Sequence, residues 1–165
     1  MDGPGFFSGW ASVYNVVDLV GDVVAPGAFV NLPDFRDRGM VCWDHDRSRP
    51  VAIPLEVVDD GIGLRLRGQF HGTPDGQAAR QIIAERKAAG RVPFGLSIGY
   101  LVKADKLLAG TRILTKLQLL EISFVALPAN PAALVREVKL EPAGDRRFSE
   151  LAALVERARF LGVAV

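Results

Sequence analysis

One cysteine, Cys42, stands alone in 165 residues. It excludes an internal disulfide and favours a reducing cytoplasm. Histidine is almost as scarce, with only His45 and His71. Together these three side chains are too few and too scattered for a structural zinc site. Neither sign of charge dominates. The formal net charge is +1, without the strongly basic balance that marks a nucleic-acid partner. No apolar run approaches the ~20 residues that a membrane-crossing helix needs. The first residues also lack the basic-then-apolar pattern of a signal peptide, so neither a membrane nor a secretory role is expected.

What the chain does have is apolar bulk. Hydrophobic residues make up 49% and charged residues 24%, which suits one globular domain with a real core. Strand-like segments predominate. Phe6–Tyr14, Val23–Val24, Met40–Trp43 and Val51–Val58 read as extended. Asp59-Asp60-Gly61 is a turn signal, and Gly63–Phe70 completes a hairpin with Leu64, Leu66, Gly68 and Phe70 on one face. Further strands are expected over Pro93–Val102 and Thr111–Leu127, ended by Pro128-Ala129-Asn130-Pro131.

Helices are fewer. Ala28–Arg38 could form a short one, weakened by Pro33. Thr73-Pro74-Asp75 opens a longer one, because Thr73 can cap it, Pro74 suits the first turn and Asp75 complements the positive end. Ala78, Ile82 and Ile83 are expected on its buried face, Arg80, Glu85 and Arg86 outward or at its edge, and Gly90 stops it. A last helix is expected over Arg147–Leu161, after a polar stretch from Lys139. The reading is therefore mainly β with flanking helices, an α+β chain. A small antiparallel β-barrel would bury the alternating faces and remove most edges. Residues 1–138 would form the barrel domain. Residues 139–165 would form a linker and a C-terminal helix, packed on the barrel or used in association.

Ser97 is the candidate nucleophile. It lies between Gly95 and Gly99 in an apolar strand, and a serine hydroxyl attacks efficiently only when a base takes its proton. The plain alternative is a small core serine bonded to a neighbouring carbonyl. Gly95-x-Ser97-x-Gly99 also matches the nucleophile elbow of α/β-hydrolases. That fold is rejected, because no histidine follows Ser97 and the next residues stay strand-like. His45, at a strand end between Asp44 and Asp46, is the preferred base. His71, also at a strand end, competes with it. Glu121 sits in an almost wholly apolar run, where an unpaired carboxylate is expensive and a histidine N–H would be a fitting partner. An outward-facing glutamate on a half-exposed strand is the alternative.

Several short motifs, in this order, carry a resemblance. They are Gly9-Trp10-Ala11-Ser12-Val13-Tyr14, Gly21-Asp22-Val23-Val24-x-Pro26-Gly27-Ala28-Phe29, Trp43-Asp44-His45-Asp46, Gly95-Leu96-Ser97-Ile98-Gly99-Tyr100 and Glu121-Ile122-Ser123-x-Val125-x-x-Pro128-Ala129-Asn130-Pro131-x-Ala133. The chain resembles the prohead maturation proteases of tailed bacteriophages over roughly residues 5–136. That family looks related in fold to the herpesvirus capsid-assembly proteases, small β-barrels surrounded by helices. Those enzymes use a serine, a histidine and a second histidine on the strand after the serine, and here Glu121 stands where that third member is expected.

The resemblance implies a serine endopeptidase with Ser97, His45 and Glu121 as its triad and no cofactor. The turn Pro128-Ala129-Asn130 lies at a strand end, so the amides of Ala129 and Asn130 are candidate oxyanion donors. Implied substrates are the scaffold protein or the scaffolding domain of the major capsid protein, and the protease itself, inside the assembling prohead in the host cytoplasm. The herpesvirus enzymes depend on dimerisation through a helix, so a homodimer through Arg147–Leu161 is also expected. The chain departs from the pattern at its C-terminus, where family members often carry a longer tail. The alternative function is a catalytically silent capsid-assembly or scaffolding module of the same fold. A general esterase is a third reading.

Overall fold

The computed structural model describes residues 5–140. Eight strands and two helices follow in the order β1 (Gly5–Val13), β2 (Asp22–Val24), α1 (Leu32–Arg38), β3 (Val41–Trp43), β4 (Asp46–Asp59), β5 (Gly63–Phe70), α2 (Pro74–Ala88), β6 (Gly95–Leu108), β7 (Thr111–Val125) and β8 (Val135–Leu140). The fold is mainly β, of the α+β class.

β7 is the hub of the sheet. Along one edge it pairs antiparallel with β6. Along the other it takes β2 near its start and β3 near its end, both parallel. From β3 the ladder continues through β4, β5 and β1 to β8. The expected antiparallel barrel is therefore corrected in two respects. Two of its pairings are parallel, which the long crossovers between β2 or β3 and β7 allow. The ladders also do not close: β6 and the start of β8 meet only at a single bridge, Gly95 to Leu134. Leu96 N–H donates to the Ala133 carbonyl and Val135 N–H to that of Phe94, each at 2.9 Å. Beyond this bridge the second edge of β6 carries no strand among the described residues.

Aromatic packing fixes the core. Phe7, Phe70 and Phe124, from β1, β5 and β7, are each almost fully buried. Their ring centroids lie 4.7 to 5.4 Å apart, within the range in which aromatic pairs attract. Leu64, Leu66, Leu96, Leu114, Leu117 and Ile122 fill the space around them.

The first helix is shorter than expected. It starts at Leu32, and Pro33 falls in its first turn, where no N–H partner is needed. Ala28 to Val30 instead follow β7: Val30 N–H donates to the Leu117 carbonyl at 3.0 Å and Leu117 N–H to that of Ala28 at 2.8 Å. In α2 the cap is as expected, with Thr73 Oγ1 accepting from Gly76 N–H at 3.3 Å. The buried face is as expected at Ile83 but not at Ala78, Ile82 or Arg80. Gly76, Ala79, Arg80 and Ile83 are buried, while Ala78 is exposed and Ile82 is 44% exposed. The docked stripe follows the i, i+3, i+4, i+7 spacing from Gly76, which includes Ile83 and leaves Ala78 and Ile82 out. At Gly76 a β-carbon would strike the His71 carbonyl.

β6 and β7 run on as a long hairpin past the expected end at Val102. They close at Ala109 and Gly110, both with positive φ (49° and 83°), the backbone of a two-residue turn. β8 had no counterpart in the sequence reading. It carries the sheet to Leu140, past the boundary expected at residue 138, and the helix expected over Arg147–Leu161 lies outside the described residues.

Candidate active site

The pairing of β6 with β7 sets the site. Ser97 is directly opposite Ser123, and Gly99 is opposite Glu121. Directly paired residues project from the same face of a sheet. Three polar side chains, Ser97, Glu121 and Ser123, thus share one face of the hairpin. All three are buried.

The glycines flanking Ser97 make room for this. A β-carbon on Gly99 would run into the Glu121 carboxylate, and one on Gly95 would collide with the Pro128 ring. Their role is to admit protein groups at close range.

His45 arrives from the other edge of β7. Trp43 pairs with Asp46 across a two-residue turn made of Asp44 and His45. Both turn residues have positive φ, 53° and 62°. That is the conformation of a tight hairpin turn, and an uncommon one for residues other than glycine. Two main-chain bonds hold it in place. Asp44 N–H donates to the Phe124 carbonyl at 3.0 Å, and His45 N–H donates to Ser123 Oγ at 3.1 Å. The ring is thereby delivered to Glu121, with Nδ1 2.7 Å from Oε1. Glu121 Oε2 accepts from Ser123 Oγ at 2.6 Å. The carboxylate is 2% exposed, whereas the His45 side chain is 45% exposed.

A buried carboxylate with two hydrogen-bond donors is a satisfied one. It selects the His45 tautomer with the proton on Nδ1, which leaves Nε2 as the free base. Cys42, beside this pair on β3, is fully buried. Burial, and then the charge of Glu121, pushes its thiol up to about 11. It is no thiolate nucleophile at neutral pH.

Ser97 and His45 line the same cavity, of about 230 Å³, together with Ala129 and Asn130. No hydrogen bond joins Ser97 to His45 among the described residues. His71 is outside this lining. Its N–H donates to the Val51 carbonyl at 2.9 Å, and its own carbonyl accepts from Gln77 Nε2 at 2.8 Å. The Asn130 side chain is committed to the loop: Nδ2 donates to the Val13 carbonyl at 2.8 Å, and Oδ1 accepts from Ala132 N–H at 3.1 Å.

Sequence reasoning missed Ser123 as a member of the site. The signal was present, since Glu121-x-Ser123 places two polar groups on one face of a stretch, Leu117 to Val125, that is otherwise apolar but for Gln118. Among the described residues, no cluster of three or more His, Cys, Asp or Glu side chains is placed to hold a metal ion.

Comparison with known proteins shows what the chain is similar to. The family described as caudovirus prohead serine protease matches residues 2–145. The prohead protease of Enterobacteria phage HK97 is 35% identical over 143 residues, which take in 82% of this chain and 60% of that protein. The chain thus spans well under the full length of that relative. Among solved structures, the bacteriophage T4 capsid assembly protease has a TM-score of 0.55 at 14% identity, covering 73% of this chain and 80% of that one. KSHV protease, in complex with a hexapeptide phosphonate inhibitor, has a TM-score of 0.50 at 12% identity, covering 84% and 66%. These two likenesses are of fold, and the KSHV one bears out the herpesvirus-protease type expected from the sequence. By the match that runs through nearly all of its length, the chain belongs to the caudovirus prohead serine protease family.

Proposed function

We propose that this chain is a serine endopeptidase of prohead maturation, working through Ser97, His45 and Glu121. The observation that carries the reading is the His45 Nδ1 to Glu121 Oε1 contact at 2.7 Å, on a face shared with Ser97 and beside one cavity. His45 Nε2 takes the Ser97 proton as Ser97 Oγ attacks the scissile carbonyl, and Glu121 holds the imidazole and stabilises its charged form. The amine leaves with the proton from His45, and water, activated by the same ring, releases the acyl group. The main-chain amides of Ala129 and Asn130 are the proposed oxyanion donors. Both residues line the cavity, and neither N–H has an acceptor among the described residues.

The proposed substrates are the scaffold protein or the scaffolding domain of the major capsid protein, and the protease itself, in the assembling prohead. The family and the names of its relatives support this. A homodimer through residues 147–161 belongs to the same proposal, and sedimentation across a dilution series tests it.

The test of the enzyme uses two reagents. A fluorophosphonate should label the wild type and not Ser97→Ala. Capsid protein carrying its scaffold domain should be cut only by the wild type. Absence of both labelling and cutting in the wild type would leave the chain as a catalytically silent assembly module. Small-ester turnover without peptide cleavage would favour the esterase.

A further inference from the structure

Ser12 has a side chain that the proposed reaction does not use. It is 1% exposed, and its Oγ has no hydrogen-bond partner among the described residues. Buried hydroxyls nearly always find a partner, and one left unpaired calls for an explanation. Ser12 lies in the wall of the cavity that Ser97 and His45 also line.

The local backbone accounts for its position. The register of β1 against β5 shifts between Trp10, opposite Arg65, and Ser12, opposite Leu64. Alternation would put Ala11 and Ser12 on opposite faces, yet both are 1% exposed. The bulge therefore turns Ser12 onto the side of Leu64, toward the interior. Bulges beside functional sites serve to re-aim a side chain in this way.

Resting on the endopeptidase reading, we propose that Ser12 is a substrate-binding residue, whose hydroxyl hydrogen-bonds to the main chain of the peptide bound in this cavity. A hydroxyl both donates and accepts, so it can pair with either main-chain group. Main-chain recognition leaves the neighbouring substrate side chain unrestricted. Because the hydroxyl is buried and unpaired in the free protein, the contact requires the cavity wall to move slightly when a peptide is seated.

The experiment compares wild type with Ser12→Ala, which removes the hydroxyl and little else. Fluorophosphonate labelling of the wild type comes first. If it fails, the endopeptidase reading falls and takes this proposal with it. With labelling in hand, Ser12→Ala should raise KM for peptide substrates roughly tenfold, a typical loss for one hydrogen bond. It should lower kcat much less and leave Tm equal to or above that of the wild type. The KM effect should persist when the side chains of the substrate are varied. An unchanged KM overturns the proposal. So does a Tm several degrees below wild type, which assigns the hydroxyl to a structural water. A KM penalty confined to substrates with one particular side chain would also overturn it.

Discussion

Ser123 Oγ donates to Glu121 Oε2 at 2.6 Å and, with the same oxygen, accepts the His45 main-chain N–H at 3.1 Å. One hydroxyl therefore fixes both the carboxylate and the turn that carries the imidazole. Ser123→Ala should cost about 1–3 kcal/mol of stability, through a carboxylate that loses a donor and an amide that loses an acceptor. It should also lower kcat roughly tenfold or more, because the geometry of the His45–Glu121 pair loosens. Urea unfolding and peptide turnover on the same preparation check both parts. A variant with wild-type turnover would show that the His45–Glu121 contact holds without this brace.

Glu121→Gln keeps the shape of the side chain and removes its charge. The fold should persist, and turnover should fall by roughly two or more orders of magnitude, as when a triad loses its acid. Undiminished cleavage would mean that Glu121 is structural only.

Gly99→Ala adds one carbon, and that carbon lands on the Glu121 carboxylate. The variant should lose about 1–3 kcal/mol, the usual range for overpacking, and most of its turnover, since Glu121 must shift away from His45. An unchanged Tm with normal turnover would show that the hairpin yields at no cost.

Two neighbouring isoleucines on α2 separate the docked face from the exposed one. Ile83 is 2% exposed and Ile82 is 44% exposed. Ile83→Asp should destabilise by several kcal/mol through a buried unpaired charge, while Ile82→Asp should change stability by under about 1 kcal/mol. Thermal melts of the pair decide it, and equal losses would contradict the packing of this helix.

Cys42 gives an alkaline signature. Its thiol is raised from an ordinary value of 9.0 to about 11 in the folded protein. The folded state therefore keeps a proton that the unfolded chain releases first. The associated stability is whole below about pH 9 and is lost as pH rises toward 11, at about 1.4 kcal/mol per pH unit. Over that window the wild type should lose on the order of 3 kcal/mol more than Cys42→Ala. Parallel urea melts at pH 8 and pH 11 measure the difference, and identical slopes would refute it.

Strand and turn chemistry was legible in the sequence where it is local. The Asp59-Asp60-Gly61 turn, the Thr73 cap and the alternation of β5 follow from neighbouring residues, and so they were read correctly. The pairing of His45 with Glu121 was anticipated from a carboxylate in an apolar run, since such a group needs a partner. Three things were decided only by the tertiary structure. The parallel docking of β3 on β7 brings Ser123 under the His45 turn, a contact between residues 78 apart in the chain that no local pattern encodes. The face of α2 that is buried was set by the backbone of His71 against Gly76, not by which apolar residues the helix carries. The inward turn of Ser12 depends on a bulge, one extra residue in a ladder, which shows only when two strands are laid side by side. A sequence specifies which groups must be buried or satisfied. Which partner satisfies them is settled by the register of strands distant in the chain.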